Sequence, residues 1–136
     1  MLLHNKNLKS LSVNLEWIPD QSYQHLSRAL MKNDSLRDLK LDHCSMTNTN
    51  MELTVQGLGL NPHKNLRSLG LHNVHMQPDC LKPLASYLAN INPKRFEELV
   101  LSNLNLSDAA LDDISMMLSN NTGLSTLKMI SCLTQG

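Results

Sequence analysis

The stretch that decides the fold is residues 36–44, LRDLKLDHC, in which leucine occupies the first, fourth and sixth positions. The same spacing of apolar residues occurs five times along the 136-residue chain. The strings are Leu8-Leu11-Val13, Leu36-Leu39-Leu41, Leu66-Leu69-Leu71, Phe96-Leu99-Leu101 and Leu124-Leu127-Met129, with first residues 28, 30, 30 and 28 positions apart. A fixed pattern at a nearly fixed period predicts an array of similar structural units stacked side by side.

Each string has the alternation of a half-buried strand. Successive side chains of a strand point to opposite faces, so Leu39 and Leu41 should point into a core while Asp38, Lys40 and Asp42 point outward. One face of the resulting sheet is therefore expected to be apolar and the other polar. The predicted strands lie near residues 8–13, 36–41, 66–71, 96–101 and 124–129.

The segment after each strand changes to helical periodicity. In the fourth unit Leu111, Ile114 and Leu118 are three and four residues apart, which places them on one helical stripe. The pairs Ser107–Asp108 and Pro78–Asp79 precede two of these segments and are typical of a helix start. The pattern thus predicts a helix after each strand.

Asparagines mark the return from helix to strand. Asn33, Asn65 and Asn121 stand one to three residues before the next leading leucine, and asparagine favours turn conformations. The second helical segment also contains Gly57 and Gly59, each of which costs a helix about 1 kcal/mol relative to alanine. We therefore expect the second helix to be short or irregular.

Residues 36–44 and 106–127 resemble leucine-rich repeats of the ribonuclease-inhibitor-like class. Cys44 stands at the ninth repeat position, where that class uses asparagine or cysteine. The resemblance covers nearly the whole chain and implies an α/β solenoid, a right-handed superhelix with short parallel strands on its concave face and helices on its convex face. It implies only a broad function, because the class includes enzyme inhibitors, the sensing regions of NOD-like receptors, Ran GTPase-activating proteins and actin-regulating scaffolds.

Some positions depart from the repeat pattern. The ninth position carries Glu16, Val74 and Leu104 in three units, and the first unit has Trp17 in its ascending loop, as either a core residue or a contact residue. We expect residues 1–136 to form one domain of about five repeats. Repeat arrays normally close with polar capping units, and their absence here indicates a piece of a longer array.

Charge and composition argue against several classes of partner. The chain has 12 basic and 12 acidic residues without a basic run, which argues against nucleic acid. It has no long apolar run for membrane insertion or secretion. Cys44, Cys80 and Cys132 are odd in number and form no CxxC pair, which favours a reducing compartment, cytoplasmic or nuclear.

The sequence predicts no metal site, no cofactor and no catalytic site. The metal-capable residues His43, Cys44, His72, His75 and Cys80 are divided between the core side and the concave face, whereas structural zinc needs about four converging ligands. No nucleophile with an adjacent base, carboxylate pair or glycine-rich phosphate loop is apparent. We therefore expect a binding function rather than an enzyme.

The outward positions of consecutive strands should form aligned columns on the concave face. The first column places Lys9, Arg37 and Arg67 side by side, as a basic strip for an acidic segment of a partner or as an ordinary solvated face. Val100 and Ile130 are apolar outward residues, explained by a partner or by a neighbouring repeat. The predicted partner-binding residues are Lys9, Arg37, Asp38, Lys40, Asp42, Arg67, His72, Glu97, Glu98, Val100, Lys128 and Ile130.

The function predicted is that of a protein-interaction module, binding a protein partner on the concave surface within a larger intracellular receptor, adaptor or scaffold. One alternative, by analogy with Ran GTPase-activating proteins, is regulation of GTP hydrolysis, in which His43, Asn73 or Asn103 would enter the active site of a partner. Another alternative is a structural spacer in an assembly.

Overall fold

The structure is a computed structural model that describes residues 6–16, 19, 21–63, 65–77, 79–91, 95–121 and 123–134. Trp17 and Pro78, to which the sequence assigns a core or contact role and a helix start, lie outside the described residues.

The main sheet consists of five parallel strands in chain order. Leu11, Leu39, Leu69, Leu99 and Leu127 are register partners from strand to strand, so each repeat stands directly beside the previous one. This confirms the predicted parallel array. The strands are β1 (Ser10–Asn14), β2 (Asp38–Asp42), β4 (Ser68–His72), β6 (Glu98–Ser102) and β8 (Thr126–Ile130).

The strands begin two residues later than the strings that predict them. At the start of β2, the backbone N–H groups of Arg37 and Asp38 both donate to the carbonyl of Lys9, at 2.8 and 3.0 Å. Leu36 therefore precedes the ladder, although its side chain is buried in the core. The predicted bounds are correspondingly shifted, while the predicted direction of each side chain holds.

The core lies behind this sheet and is built almost entirely from aliphatic side chains. The inward residues of the three central strands, such as Leu41, Leu71 and Leu101, have no solvent exposure. Burying one such leucine contributes about 1.5–3 kcal/mol. The outward neighbours on the same strands are partly or fully exposed except for Gly70, as the alternation predicts.

Short strands follow the main strands and form a second set of ladders. A turn residue with a left-handed backbone precedes each of the first three: His43, Asn73 and Asn103 have φ of 51°, 53° and 55°. We call these strands the outer ladder: β3 (Ser45–Met46), β5 (His75–Met76), β7 (Asn105–Leu106) and β9 (Leu133–Thr134). In the outer ladder β3 pairs with β5 and β7 pairs with β9.

Four α-helices connect the repeats within the described residues: α1 (Ser22–Lys32), α2 (Asn48–Leu60), α3 (Leu81–Ser86) and α4 (Asp108–Asn120). The predicted start of α4 is confirmed, because the Ser107 side chain accepts a hydrogen bond from the N–H of Ala110 at 3.1 Å. Thr47 caps α2 in the same way. α3 begins at Leu81 without a side-chain cap and continues as a π-helical segment, Tyr87–Ile91.

The prediction of a short or irregular second helix was wrong. α2 is 13 residues long, whereas the short and irregular helix is that of the third repeat. Gly57 is buried where α2 packs on α1, and a Cβ built there would lie 2.5 Å from the carbonyl oxygen of Ser27. The glycine therefore permits close approach of two helices rather than interrupting one.

Asparagine side chains close the helix ends. The Oδ1 atom of Asn33 accepts hydrogen bonds from the N–H groups of Ser35 and Leu36, at 2.9 and 2.8 Å. The backbone of Asn33 is extended, so the side chain makes the turn and no left-handed conformation is needed. Asn121 makes the same turn in the fourth repeat.

In the second repeat Asn61 closes the helix end, where the sequence had indicated Asn65. Its Oδ1 accepts from the N–H of His63 at 2.8 Å, and its Nδ2 donates to the carbonyls of Leu30 and Asn33, at 2.7 and 2.5 Å. Asn65 instead donates to a carbonyl in the preceding turn. The second repeat has two more residues between Asn61 and the next leading leucine than the first repeat has after Asn33. Asn61 therefore closes the helix, and Asn65 is left to bond to the preceding turn.

Candidate protein-binding surface

The basic strip predicted from the sequence exists as three neighbouring side chains. The N–H of Arg37 donates to the carbonyl of Lys9, and the N–H of Arg67 donates to the carbonyl of Arg37, at 2.8 and 2.7 Å. The three residues thus lie at the entrances of adjacent strands, and all three are exposed. Glu97 follows Arg67 in the same column.

The arginines of the basic strip make no ion pair within the described part of the chain. Glu98, in contrast, accepts a hydrogen bond from the hydroxyl of Ser68 at 3.2 Å and lies 3.6 Å from the ammonium of Lys128. The Glu98 side chain is therefore already engaged. The two guanidinium groups retain their donors for a ligand.

The centre of the concave face is shaped by Gly70. A Cβ built at Gly70 would lie 2.7 Å from Nε2 of His72, so the imidazole ring folds over the space above the glycine. Burial lowers the pKa of His72, and the charge of Lys40 lowers it further, against the opposing effect of Asp42. His72 is consequently neutral at neutral pH, and Lys40 carries the positive charge here.

A row of polar side chains borders the concave face at the turns. The Nδ2 of Asn73 donates to Oδ1 of Asp42 at 3.0 Å, and the Nδ2 of Asn103 donates to Oδ1 of Asn73 at 3.0 Å. His43 Nδ1 lies 2.8 Å from Oδ1 of Asp42. The hydrogen bond from Asn73 is the main cause that lowers the pKa of Asp42. Both ends of the Asn73 amide are therefore engaged.

The apolar outward residues lie toward the C-terminal end of the sheet. Val100 is half-buried and is the register partner of Lys128, while Ile130 is 50% exposed and is the partner of Ser102. The two apolar residues thus occupy diagonal positions on neighbouring strands. Met129 points inward by pattern yet is 41% exposed, because no described strand follows β8.

The remaining predicted contact residues occupy the same face. Asp38 is the register partner of Ser10 and Ser68, and Glu97 is exposed in the first column. The structure thus places the whole predicted set on one surface. It does not group them evenly, since the basic residues concentrate in the first column, whereas β2 carries two aspartates and Glu97 and Glu98 lie at the start of β6.

The cysteines offer little chemistry. Burial raises the pKa of the Cys44 thiol and, together with the nearby Cys44, raises the pKa of Cys80 to about 12. Both thiols therefore stay protonated at neutral pH, whereas metal ligation requires the thiolate. Among the described residues no group of three His, Cys, Asp or Glu side chains is placed to hold a metal ion.

The sequence patterns did not predict a groove that lies in the outer ladder. It has a volume of about 510 Å³ and lies between the segments 73–77 and 103–107. Its lining residues are His43, Asn73, Val74, His75, Met76, Gln77, Leu81, Asn103, Asn105, Ser107 and Ala110. The groove lies where β5 and β7 do not pair with each other. Strand pairing depends on two neighbouring repeats, so the pattern within one repeat does not predict it.

No helix in the part of the chain that the structure describes is long and apolar enough to cross a membrane. The repeated strand, polar turn and helix, stacked in parallel register, define a leucine-rich repeat fold. The resemblance inferred from the sequence is thereby confirmed.

The chain is similar to two proteins whose names state that they contain NACHT, LRR and PYD domains. It is 30% identical over 131 residues, 95% of its length, to NACHT, LRR and PYD domains-containing protein 5 from Mus musculus. It is 33% identical over 124 residues, 90% of its length, to NACHT, LRR and PYD domains-containing protein 14 from Homo sapiens. The chain spans 11% of the length of each of these relatives.

The fold is shared with a solved structure, the C-terminal domain of tropomodulin from Caenorhabditis elegans. The TM-score is 0.69 at 14% sequence identity, over 92% of this chain and 75% of that one. No protein-family model matches the sequence. These comparisons indicate an interaction module of the leucine-rich repeat type.

Proposed function

We propose that this chain binds an acidic segment of a protein partner on its concave surface, as a module of a larger intracellular receptor, adaptor or scaffold. The observation that carries the proposal is the basic strip: Arg37 and Arg67 are exposed on adjacent strands, and neither has an ion-pair partner among the described residues. The proposed contact residues are those predicted from the sequence, with the basic strip as the centre.

The geometry of the basic strip suits carboxylates. Adjacent strands are about 4.8 Å apart, so neighbouring guanidinium groups can each take one carboxylate of an extended acidic segment. The backbones of Arg37 and Arg67 are fixed by the ladder, which reduces the ordering cost of binding to the side chains themselves. Val100 and Ile130 would add apolar contact further along the sheet.

The setting within a larger protein is part of the proposal. The relatives are about nine times as long as the matched segment, which agrees with about five repeats belonging to a longer array. Cys44, Cys80 and Cys132 are free thiols, which suits a reducing compartment.

The test is a pair of charge-reversal variants with equal change in net charge. Arg37→Glu/Arg67→Glu removes the strip, and Arg28→Glu/Lys32→Glu reverses two exposed cations on α1. The probe is an extended peptide with glutamates at alternate positions, measured by calorimetry at low ionic strength. We expect affinity to fall about tenfold or more for the first pair and by less than about twofold for the second, a tenfold change being about 1.4 kcal/mol.

Equal weakening by both pairs would mean that net charge alone attracts the peptide, and unchanged affinity in the Arg37/Arg67 variant would contradict the proposal directly. Circular dichroism of both variants checks that the fold is kept.

Regulation of GTP hydrolysis has no comparable support. Asn73 and Asn103 are hydrogen-bonded to their neighbours along the rim, and entry into a partner's active site would require breaking that row. A purely structural spacer role would be indicated if the acidic peptide bound neither the concave face nor the helical face in the same experiment.

A further inference from the structure

The outer ladder is interrupted between the third and fourth repeats. β5 pairs only with β3 and β7 only with β9 among the described strands, although β4 and β6 just before them are paired along their whole length. The two repeats are still joined at the turn, where the N–H of Asn73 donates to the carbonyl of Ser102 at 3.0 Å. Only the short strands that follow this turn, β5 and β7, are not paired with each other.

This separation opens the groove of about 510 Å³ described above, a volume within the usual range of about 300–1,000 Å³ for binding pockets. The floor of the groove is incompletely covered. Met76 is partly exposed, whereas the equivalent residues Met46 and Leu106 are 1% and 0% exposed.

The origin of the groove lies at one repeat position. Thr47 and Ser107 cap the helices of their repeats, but the equivalent residue of the third repeat is Gln77. Its Oε1 instead accepts a hydrogen bond from the N–H of Asn48 at 3.2 Å, in the preceding repeat. Gln77 therefore does not cap α3, which starts only at Leu81.

The edge of β5 presents main-chain groups to the groove. The N–H groups of His75 and Gln77 donate to the carbonyls of Cys44 and Met46, at 2.9 and 3.3 Å, on the side of β3. Alternate residues of a parallel strand bond to opposite sides, so the N–H and carbonyl of Met76 are directed toward the groove. This donor and acceptor pair is what an added strand would use.

The side chains of the groove suit an uncharged ligand. None of the described residues that line it is Lys, Arg, Asp or Glu. Gln77 and Asn105 line it with amides, each of which offers both donors and acceptors to a peptide main chain. Leu81 and Ala110 provide an apolar floor for a small side chain.

We propose that this groove is a second binding site, which takes an extended, uncharged segment of a partner polypeptide by main-chain hydrogen bonds to Met76. The amide of Asn105, on β7, holds the far side of the segment. The site lies beyond the turns, on the rim of the solenoid, and does not use the basic strip.

The experiment is an NMR titration of the full chain with a panel of extended peptides made of Ser, Thr, Val and Gln. Each peptide is also prepared in two forms that are N-methylated at one or the other set of alternate residues. We expect shifts confined to residues 74–77 and 103–107, and exchange of the Met76 amide slowed about tenfold or more at saturation, as for a newly hydrogen-bonded amide. One N-methylated form should bind about tenfold more weakly, while the other retains affinity, since only alternate residues face β5.

Two matched variants complete the test. Asn105→Trp fills the groove and should abolish the shifts, whereas Ser45→Trp, at the equivalent exposed position of β3 outside the groove, should leave them unchanged. Absence of binding by every peptide, equal sensitivity to both N-methylation patterns, or binding that survives Asn105→Trp would each overturn the proposal. The Arg37→Glu/Arg67→Glu variant should bind these peptides normally, so the two proposed sites fail or stand separately.

Discussion

Single asparagines determine how α1, α2 and α4 return to the sheet. Asn61 is the most fully used of them, because its amide bonds to the turn that follows it and to two carbonyls of the preceding repeat. It is 7% exposed, so water cannot replace these partners. A buried polar group that loses its partner costs more than the hydrogen bond itself contributes.

We therefore expect Asn61→Ala to lower the free energy of unfolding by about 2 kcal/mol, because two carbonyls and one N–H lose a buried partner. Asn65→Ala, four residues later, removes two hydrogen bonds at exposed sites, to the Asp34 carbonyl and from Arg95, and should change it by less than about 0.5 kcal/mol. Urea denaturation of both variants measures the difference. Equal losses would contradict the role assigned to Asn61.

The rim asparagine Asn73 controls the ionisation of Asp42. Its hydrogen bond holds the pKa of Asp42 below the ordinary value of 3.8. Asn73→Gly removes the amide and tolerates the left-handed backbone at this position, so it should raise the pKa of Asp42. Carboxyl-carbon NMR titration measures this shift.

The sign of the stability effect follows from the direction of the shift. A depressed carboxyl pKa contributes stability that is present above about pH 4 and lost as the pH falls through the folded value. Asn73→Gly should reduce that loss. Asn103→Gly, whose amide bonds to Asn73 rather than to Asp42, is the control and should move the Asp42 pKa less.

At the level of elements, the packing of α1 on α2 depends on Gly57. In an open helix Gly→Ala is stabilising by about 1 kcal/mol, but here the added methyl group would meet the backbone of Ser27. We expect Gly57→Ala to destabilise the fold by about 1–3 kcal/mol, as for other overpacked sites. Gly59→Ala on the same helix, at a partly exposed position, should stabilise it by about 0.5–1 kcal/mol.

Thermal unfolding of the two glycine variants gives opposite shifts of Tm if this explanation holds. A rise in Tm for both would show that α1 and α2 are less closely packed than described.

The two glycines also show what the sequence reveals at this scale. Alternation and spacing predict the strands, because the period of a strand is local to five or six residues. The packing role of Gly57 was not predictable in this way, since it depends on Ser27 in another helix. The late start of α3 does have a local signal, namely glutamine at the position where Thr47 and Ser107 cap their helices.

Across the whole molecule, each repeat is stabilised by its neighbours. Leu99 and Leu127 are register partners at the same repeat position, yet Leu99 is 2% exposed between two strands while Leu127 is only partly buried on the last described strand. The stability of a repeat array is approximately a sum of such nearest-neighbour interfaces.

We expect Leu99→Ala to cost about 3–4 kcal/mol and Leu127→Ala only about 1–2 kcal/mol, because a cavity in the middle of the array cannot collapse as easily as one at its edge. Chemical denaturation measures both. Similar costs at the two positions would imply that the core beside β8 is covered as fully as the core beside β6.

The surface was predictable from the sequence only in part. The columns follow from alternation and register, so the positions of Arg37 and Arg67 were accessible from the repeats alone. That Glu98 pairs with Lys128, while neither arginine has an ion pair among the described residues, depends on side-chain geometry across strands. The groove beside Met76 has its signal at Gln77, which stands where Thr47 and Ser107 cap their helices, and only a comparison of the repeats with one another shows this difference.

The most direct test of the central claim, that the concave face is the binding surface, is an NMR titration of the chain with the peptide carrying alternate glutamates. We expect the largest backbone shifts at residues 37–40 and 67–70, a weakening of these shifts as salt is added, and no effect on the helices. Shifts confined to α1 to α4, or no shifts at low ionic strength, would contradict it.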